Sequence, residues 1–157
     1  YKKILVSYYS LSGNTRDMAE RIAAYTKADT LEIHTEKEYP YDYDMRMSLG
    51  KREVESGYMP KLAKYRCRLE RYDIVILGFP VWWSSIAPAM KSFIAAYDWT
   101  NKRVCPFLTC EKTIGRTTSE LKRLFRGASL AKPVNFKFEE NEQITPDEVL
   151  MRWLAQF

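Results

Sequence analysis

Small hydroxyl side chains and one glycine form the run SLSGNT at residues 10–15, between an apolar segment and a helix-like segment. Backbone N–H groups at a helix start attract anions, and serine and threonine hydroxyls add donors without blocking access. The run lacks the lysine of a Walker A loop and the three spaced glycines of a dinucleotide-binding loop. The sequence therefore predicts a site for a terminal monophosphate. Its candidate ligands are Ser10, Ser12, Gly13, Asn14 and Thr15.

Two adjacent tryptophans, Trp82 and Trp83, follow a later apolar segment and a proline. Neighbouring side chains in a loop cannot both point into one core, so we expect at least one to line a planar site or to pack on the surface. Stacking on a flat ring would add about 0.5–1.5 kcal/mol beyond area burial. Two simpler interpretations stay open: the tryptophans as core or interface residues, and the hydroxyl run as a helix N-cap alone.

Strand and helix patterns alternate along the chain and must position these loops. We predict strands at residues 3–8, 30–35, 73–79, 103–109 and 134–138, and helices at 14–27, 87–97, 118–125 and from 146 onward. Pro80 is predicted to end the third strand, and Thr145 to cap the last helix. The pattern indicates an α/β fold with a doubly wound, five-stranded parallel sheet and helices on both faces.

Ligands of such sheets bind beyond the carboxyl ends of the strands. We therefore expect the loops after the first, third and fourth strands to meet, the last of these spanning residues 109–116. The long connection at 36–72, with two weaker helical stretches, is predicted to be a surface excursion.

Composition excludes several classes of protein. The chain has 157 residues, 46% of them hydrophobic, so we expect residues 1–157 to form one domain with a full core. No apolar run approaches the ~20 residues of a membrane-spanning helix. The net charge is +5, but no helix-turn-helix, zinc or RNP signature accompanies it, so we expect no nucleic-acid partner.

The three cysteines, Cys67, Cys105 and Cys110, have spacings that match no metal motif. We expect free thiols, no metal site and a reducing compartment, the cytoplasm. Because the chain begins with tyrosine and not methionine, loss of an upstream segment stays open. We find no Ser-His-Asp set and no carboxylates paired for hydrolysis, and no catalytic residue is assigned.

Together, the SLSGNT run, the GFPVWW sequence at 78–83 with Pro88 after it, and the PFLT sequence at 106–109 resemble the flavodoxin family. The likeness is to its small single-domain branch with Trp-Trp in the second flavin loop. This resemblance implies a sheet of strand order 2-1-3-4-5 that binds FMN. The monophosphate would lie in the first loop and the isoalloxazine ring between the second and third.

Carried over by position, the resemblance implies two groups of ring-binding residues in addition to the phosphate ligands. The second loop would contribute Pro80, Val81, Trp82, Trp83 and Ser84, and the third loop Thr109, Cys110, Glu111 and Gly115. Two departures from the family pattern bear on the ring site. Ser84 stands where glycine is usual, and the third loop is one residue shorter and poor in glycine. Such replacements can narrow a flavin slot or remove a backbone donor.

The resemblance implies a redox protein, either an electron carrier or a small FMN-dependent reductase. The partner would be a redox protein or a quinone-like acceptor. Low-potential carriers of the family are usually acidic, whereas this chain is basic. Lys112 or Arg116 near the ring would raise the potential and favour acidic partners. The alternative is a binding module that has lost flavin and keeps only an anion site.

Overall fold

The structure, a computed structural model, describes residues 2–157. Its strands are β1 (Ile4–Tyr9), β2 (Asp29–Ile33), β3 (Ile74–Trp82), β4 (Ser85–Ile86), β5 (Arg103–Cys110), β6 (Ser129–Leu130), β7 (Val134–Glu139) and β8 (Glu142–Gln143). Its helices are α1 (Asn14–Thr26), α2 (Tyr43–Ser56), α3 (Pro88–Ala95), α4 (Thr117–Leu124) and α5 (Asp147–Leu154), with a 3₁₀ turn at Leu69–Arg71. The predicted alternation of strands and helices is confirmed.

The five long strands pair in the order β2-β1-β3-β5-β7, and all four of these pairings are parallel. Counted among themselves they have the predicted order 2-1-3-4-5. Three strands of two residues raise the number to eight. β4 pairs antiparallel with β3, β8 pairs antiparallel with β7, and β6 pairs parallel with β5. The predicted count of five is therefore correct only for the long strands.

Helices cover both faces of the sheet and divide the core in two. On β3, Val75, Leu77 and Phe79 belong to a cluster with residues of α3 and α4, whereas Ile74 and Ile76 belong to a cluster with residues of α1 and α5. Burying each such side chain contributes about 1.5–3 kcal/mol. The two clusters hold the carboxyl ends of the central strands at one edge of the sheet.

Pro80 does not end the third strand, so that prediction is wrong. β3 continues to Trp82, and Pro80 pairs with Thr109 of β5. The pairing of β3 with β1 stops at Gly78, which leaves one edge of β3 without a partner strand at Pro80. A residue without an N–H group is tolerated at such an edge.

The prediction that Thr145 caps the last helix is also wrong. α5 begins at Asp147 after Pro146, and no side chain caps it. Thr145 Oγ1 instead accepts a hydrogen bond from the backbone N–H of Lys137 at 2.7 Å. The threonine hydroxyl therefore accepts from a backbone N–H group of β7 instead of one in α5. Such a contact with another element cannot be read from the local sequence.

The long connection between β2 and β3 carries one substantial helix, α2. Its start is capped by Asp42, whose carboxylate accepts from the N–H of Met45 at 3.0 Å, and Gly57 ends it in a left-handed conformation. A bridge between Thr35 and Leu62 closes the excursion. Among the described residues, no helix has the length and apolar character needed to cross a membrane.

Candidate functional site

The loop between β1 and α1 is organised by a serine hydroxyl. Ser10 Oγ accepts hydrogen bonds from the N–H groups of Gly13 at 3.1 Å and Arg16 at 3.2 Å. Gly13 has φ +102° and directly precedes α1. The backbone N–H groups of Ser12, Asn14 and Thr15 donate to no acceptor within residues 2–157. The loop therefore presents free donors at a helix start, which is the arrangement that binds a phosphate.

Thr15 and Asn14 are held by other parts of the sheet edge. Thr15 is 2% exposed, and its hydroxyl lies 2.7 Å from that of Thr109 at the end of β5. The Asn14 side-chain amide donates to the carbonyl of Glu140, in the turn between β7 and β8, at 2.8 Å. Both side chains are engaged within the protein, so backbone N–H groups and the exposed Ser12 hydroxyl form the accessible part of the loop.

The two tryptophans point in different directions. Trp82 packs edge-to-face on Tyr9 and Tyr39, with ring centroids 6.0 and 5.1 Å apart. Trp83 is 44% exposed, and with Ser84 it forms the turn between β3 and β4. Trp82 is thus partly buried and packs against the core, and Trp83 presents its ring at the surface beside the sheet edge. The exposure of Trp83 agrees with the expectation that at least one of the two lines a planar site or packs on the surface.

The second and third loops touch at Ser84 and Gly115. The Ser84 carbonyl accepts from the N–H of Arg116 at 2.9 Å. A Cβ atom on Gly115 would lie 2.1 Å from Ser84 Cβ and 2.8 Å from its Cα, so only glycine fits there. Ser84 itself has φ +62°, a conformation in which glycine is the usual residue. The contact fixes the spacing of the two loops.

A cavity of about 370 Å³ lies where the three loops meet. Its walls are Leu11 of the first loop, Val81, Trp82, Trp83 and Ser84 of the second, Cys110, Glu111, Lys112 and Thr113 of the third, and Tyr43, Arg46, Met47 and Gly50 of α2. The volume is within the range of small-ligand sites. The cavity adjoins the loop between β1 and α1 at Leu11, so one ligand could occupy both.

Two basic side chains, Arg46 and Lys112, line the cavity. Arg46 has no carboxylate partner among the described residues, and its Nε is buried without an acceptor. Lys51 Nζ lies 5.6 Å from the centre of the Trp83 ring, and Lys112 is an exposed residue of the wall. Glu111 is the one acidic residue of the lining. Glu139, Glu140 and Glu142 line an adjoining cavity together with Glu111 and Lys112, so the unpaired positive charge of the site is at Arg46.

Cys110 forms part of the cavity wall and is 7% exposed. Burial raises the pKa of its thiol, so the group is a neutral thiol at pH 7. All three cysteines are free. Within residues 2–157 there is no cluster of three or more histidine, cysteine, aspartate or glutamate residues that could bind a metal ion.

A larger cavity, of about 1030 Å³, lies against α2 at a separate place. Tyr39, Tyr58, Pro40 and Pro60 line it together with charged residues of α2 and the connection. It contains no residue of the three loops that meet at the sheet edge. The smaller cavity is therefore the candidate site, because it combines loop residues from the ends of β1, β3 and β5.

Comparison with known proteins identifies the family. A family model described as Flavodoxin matches residues 3–156. The chain belongs to the flavodoxin family. No curated protein gives a significant match to this flavodoxin-family chain.

Solved structures of flavoproteins have the same fold. A predicted flavoprotein from Bacteroides eggerthii DSM 20697 has 24% identity and a TM-score of 0.84, covering 99% of this chain and 98% of that chain. One from Bacteroides uniformis ATCC 8492 has 26% identity and a TM-score of 0.81, covering 98% of each chain. A flavoprotein from Lactobacillus acidophilus NCFM, solved in complex with FMN, has 21% identity and a TM-score of 0.76, covering 98% and 99%.

The residues expected from the sequence are brought to one edge of the sheet, but not all reach the cavity. Three of them lie outside the cavity but next to residues of its wall. Pro80 precedes Val81, Thr109 precedes Cys110, and Gly115 contacts Ser84. The contribution of α2 was missed by the sequence analysis. The signal for it is present, since Tyr43, Met47 and Gly50 recur at helical spacing in the long connection.

Replacing Ser84 with glycine is expected to raise the free energy of unfolding by roughly 0.5–1 kcal/mol, because glycine adopts φ +62° without steric cost. Urea denaturation measures the change. Asn101→Gly is the matched control: Asn101 has φ +65°, but asparagine tolerates this conformation and little change is expected. A clear loss of stability in Ser84→Gly would show that the serine side chain is required where it meets Gly115.

Proposed function

We propose that this flavodoxin-family protein binds FMN at the edge formed by β1, β3 and β5 and acts in electron transfer. One observation carries the proposal: a loop with three free backbone N–H groups at a helix start adjoins a ring-sized cavity. The flavoprotein from Lactobacillus acidophilus supports the choice of ligand, since that protein was solved with FMN. Residues 1–157 would form a single flavodoxin-like domain around this site.

The residues present fit both ends of FMN. The N–H groups of Ser12, Asn14 and Thr15 would hold the monophosphate, with the Ser12 hydroxyl as an additional donor. The buried Nε of Arg46, which has no acceptor, would meet the carbonyl groups at the polar edge of the ring. The isoalloxazine would occupy the cavity beside Trp83 and Ser84.

Flavins supply one- and two-electron transfer when bound, so the protein needs to bind, orient and shield the ring. Trp83 would cover one face of the ring and exclude water, because its own ring is exposed beside the cavity. Cys110, a neutral thiol, would pack on the ring without adding charge. Arg46 and Lys112 would provide positive charge near it. We assign no catalytic residue.

The charge of the site also bears on the reaction partner. Arg46 and Lys112 would favour an acidic redox protein or a small quinone-like acceptor with negative character over a basic partner. The free thiols fit a cytoplasmic location. The sequence has no helix-turn-helix, zinc or RNP signature, and we propose no nucleic-acid partner.

The proposed function is tested by reconstituting the protein with FMN and following the visible spectrum. We expect a bound flavin that is bleached by dithionite and recovers in air. If NADH or NADPH alone bleaches the bound flavin, the protein is a reductase. If the flavin is bleached only in the presence of a protein donor, the protein is an electron carrier. A protein that binds inorganic phosphate but no FMN would overturn the proposal in favour of a module that keeps only an anion site.

Lys112→Gln is expected to lower the midpoint potential of the bound flavin by roughly 10–40 mV, because one positive charge that stabilises the reduced, anionic flavin is lost. Spectroelectrochemical titration measures the potential. Lys132→Gln is the matched control. Lys132 lies just before the amino end of β7, whereas the candidate site lies at the carboxyl ends of the strands, and its loss changes the net charge equally. Equal shifts in both variants would contradict a local role of Lys112.

A further inference from the structure

A buried carboxylate lies behind the candidate site. Glu120 of α4 is 6% exposed, and four residues make five hydrogen bonds or ion pairs with its carboxylate. Ser85 Oγ donates to both oxygens at 2.8 and 2.9 Å, and the N–H of Ile86 donates at 3.1 Å. Lys91 Nζ of α3 lies 3.0 Å and Arg116 Nε 3.7 Å from Oε2. The carboxylate is fully engaged inside the protein.

These partners are the immediate neighbours of the two loops that form the ring cavity. Ser85 follows Ser84 in the turn after β3, and Arg116 follows Gly115 in the third loop. Ser84 and Gly115 are themselves in contact, and the Ser84 carbonyl accepts from the N–H of Arg116. Glu120 therefore holds the second loop, the third loop and α3 in one arrangement, without itself reaching the cavity.

The charge of Glu120 is stabilised in place. Burial alone would raise the pKa of the carboxyl, but hydrogen bonds from Ser85, Lys91 and Ile86 outweigh it and hold the pKa below its ordinary value. Lys91 is 17% exposed, so loss of the carboxylate would leave a largely buried ammonium group without a counter-charge. The arrangement depends on a charge and not only on a hydrogen-bond acceptor.

We propose that Glu120 is a positioning residue for the ring site: its carboxylate sets the spacing between the Trp83–Ser84 turn and the third loop, and thereby the width of the cavity. The inference rests on the proposed function, since it concerns how the flavin ring is held. According to this proposal, Glu120 affects the binding of the ring end of the ligand but not of its phosphate end. The phosphate loop does not contact Glu120, so the phosphate end is independent of it.

The test compares Glu120→Gln with the wild-type protein. We expect FMN to bind at least ~10-fold more weakly in the variant, with an altered visible spectrum of the bound flavin, while the affinity for inorganic phosphate is unchanged. The amide matches the carboxylate in size but puts a donor beside Lys91 and Arg116. Glu20→Gln is the matched control: Glu20 is an exposed carboxylate of α1, and no change is expected.

Each outcome decides a separate question. A wild-type protein that does not bind FMN defeats the proposed function. A wild-type protein that binds FMN, beside a folded Glu120→Gln variant with the same affinity and spectrum, overturns the role of Glu120 alone. A parallel loss of phosphate affinity would also overturn it, since it would indicate general disorder. If Glu120→Gln does not fold, Ser85→Ala takes its place, with an expected 2- to 5-fold loss of FMN affinity and unchanged phosphate binding.

Discussion

Ser12→Asp is expected to weaken FMN binding at least ~100-fold, about 2.7 kcal/mol, and to leave riboflavin binding unchanged. Ser12 is exposed in the first loop, between Ser10 and the start of α1, so an aspartate fits without disturbing the core. Its carboxylate would accept from the free N–H groups and repel the phosphate from the same place. Riboflavin has no phosphate and does not depend on these donors.

Fluorescence titration with each flavin measures the effect of Ser12→Asp. Ser48→Asp is the matched control, because Ser48 is an exposed serine of α2 that does not line the cavity and its replacement changes the net charge equally. The control is expected to bind FMN as the wild-type protein does. If Ser12→Asp retains FMN affinity, the phosphate does not bind at this loop, and the ligand must be oriented in another way.

Gly78→Ala is expected to lower the free energy of unfolding by about 2–4 kcal/mol. Gly78 lies in β3 opposite Phe107 of β5, and an added Cβ would come within 2.0–2.7 Å of three atoms of the Phe107 ring. That ring is completely buried and packs on Phe136 and Trp153, so it cannot move aside without opening the core. Urea denaturation measures the loss.

Gly50→Ala is the matched control for Gly78→Ala. A Cβ on Gly50 would meet Trp82 at an ordinary 3.5 Å, and alanine favours the helix by about 0.5–1 kcal/mol, so we expect a gain in stability. In the combination Gly78→Ala with Phe107→Leu, part of the loss should be recovered, since the smaller side chain frees space. Wild-type stability of Gly78→Ala alone would contradict the close packing of β3 on β5.

The fold could be predicted from the sequence because local pattern and overall topology agree. Continuous apolar runs, as in β3, indicate a strand buried on both faces, and their alternation with amphipathic helices leaves few arrangements other than a doubly wound sheet. The free donors of the first loop were predictable for a related reason. They lie in one short run of residues between β1 and α1, so the local sequence indicates them.

The cavity proposed for the ring was less predictable because it depends on contacts between distant segments. Trp83 lies at the surface in the turn after β3, and β3 continues past Pro80 to Trp82. Pro80 is tolerated there because β1 pairs with β3 only as far as Gly78. The contribution of Arg46 depends on where α2 packs, and the long connection does not reveal this. Glu120 is an ordinary helix residue in sequence, and only the structure brings its partners together.

Titration of the ligand-free protein with FMN and with riboflavin, followed by flavin fluorescence, tests the central claim most directly. A site built on the free N–H groups of the first loop and the adjacent cavity predicts tight binding of FMN and binding of riboflavin at least ~100-fold weaker, a difference of about 2.7 kcal/mol. Equal affinities would contradict the phosphate loop as the anchor, and binding of neither flavin would contradict the assignment of this edge of the sheet as a flavin site.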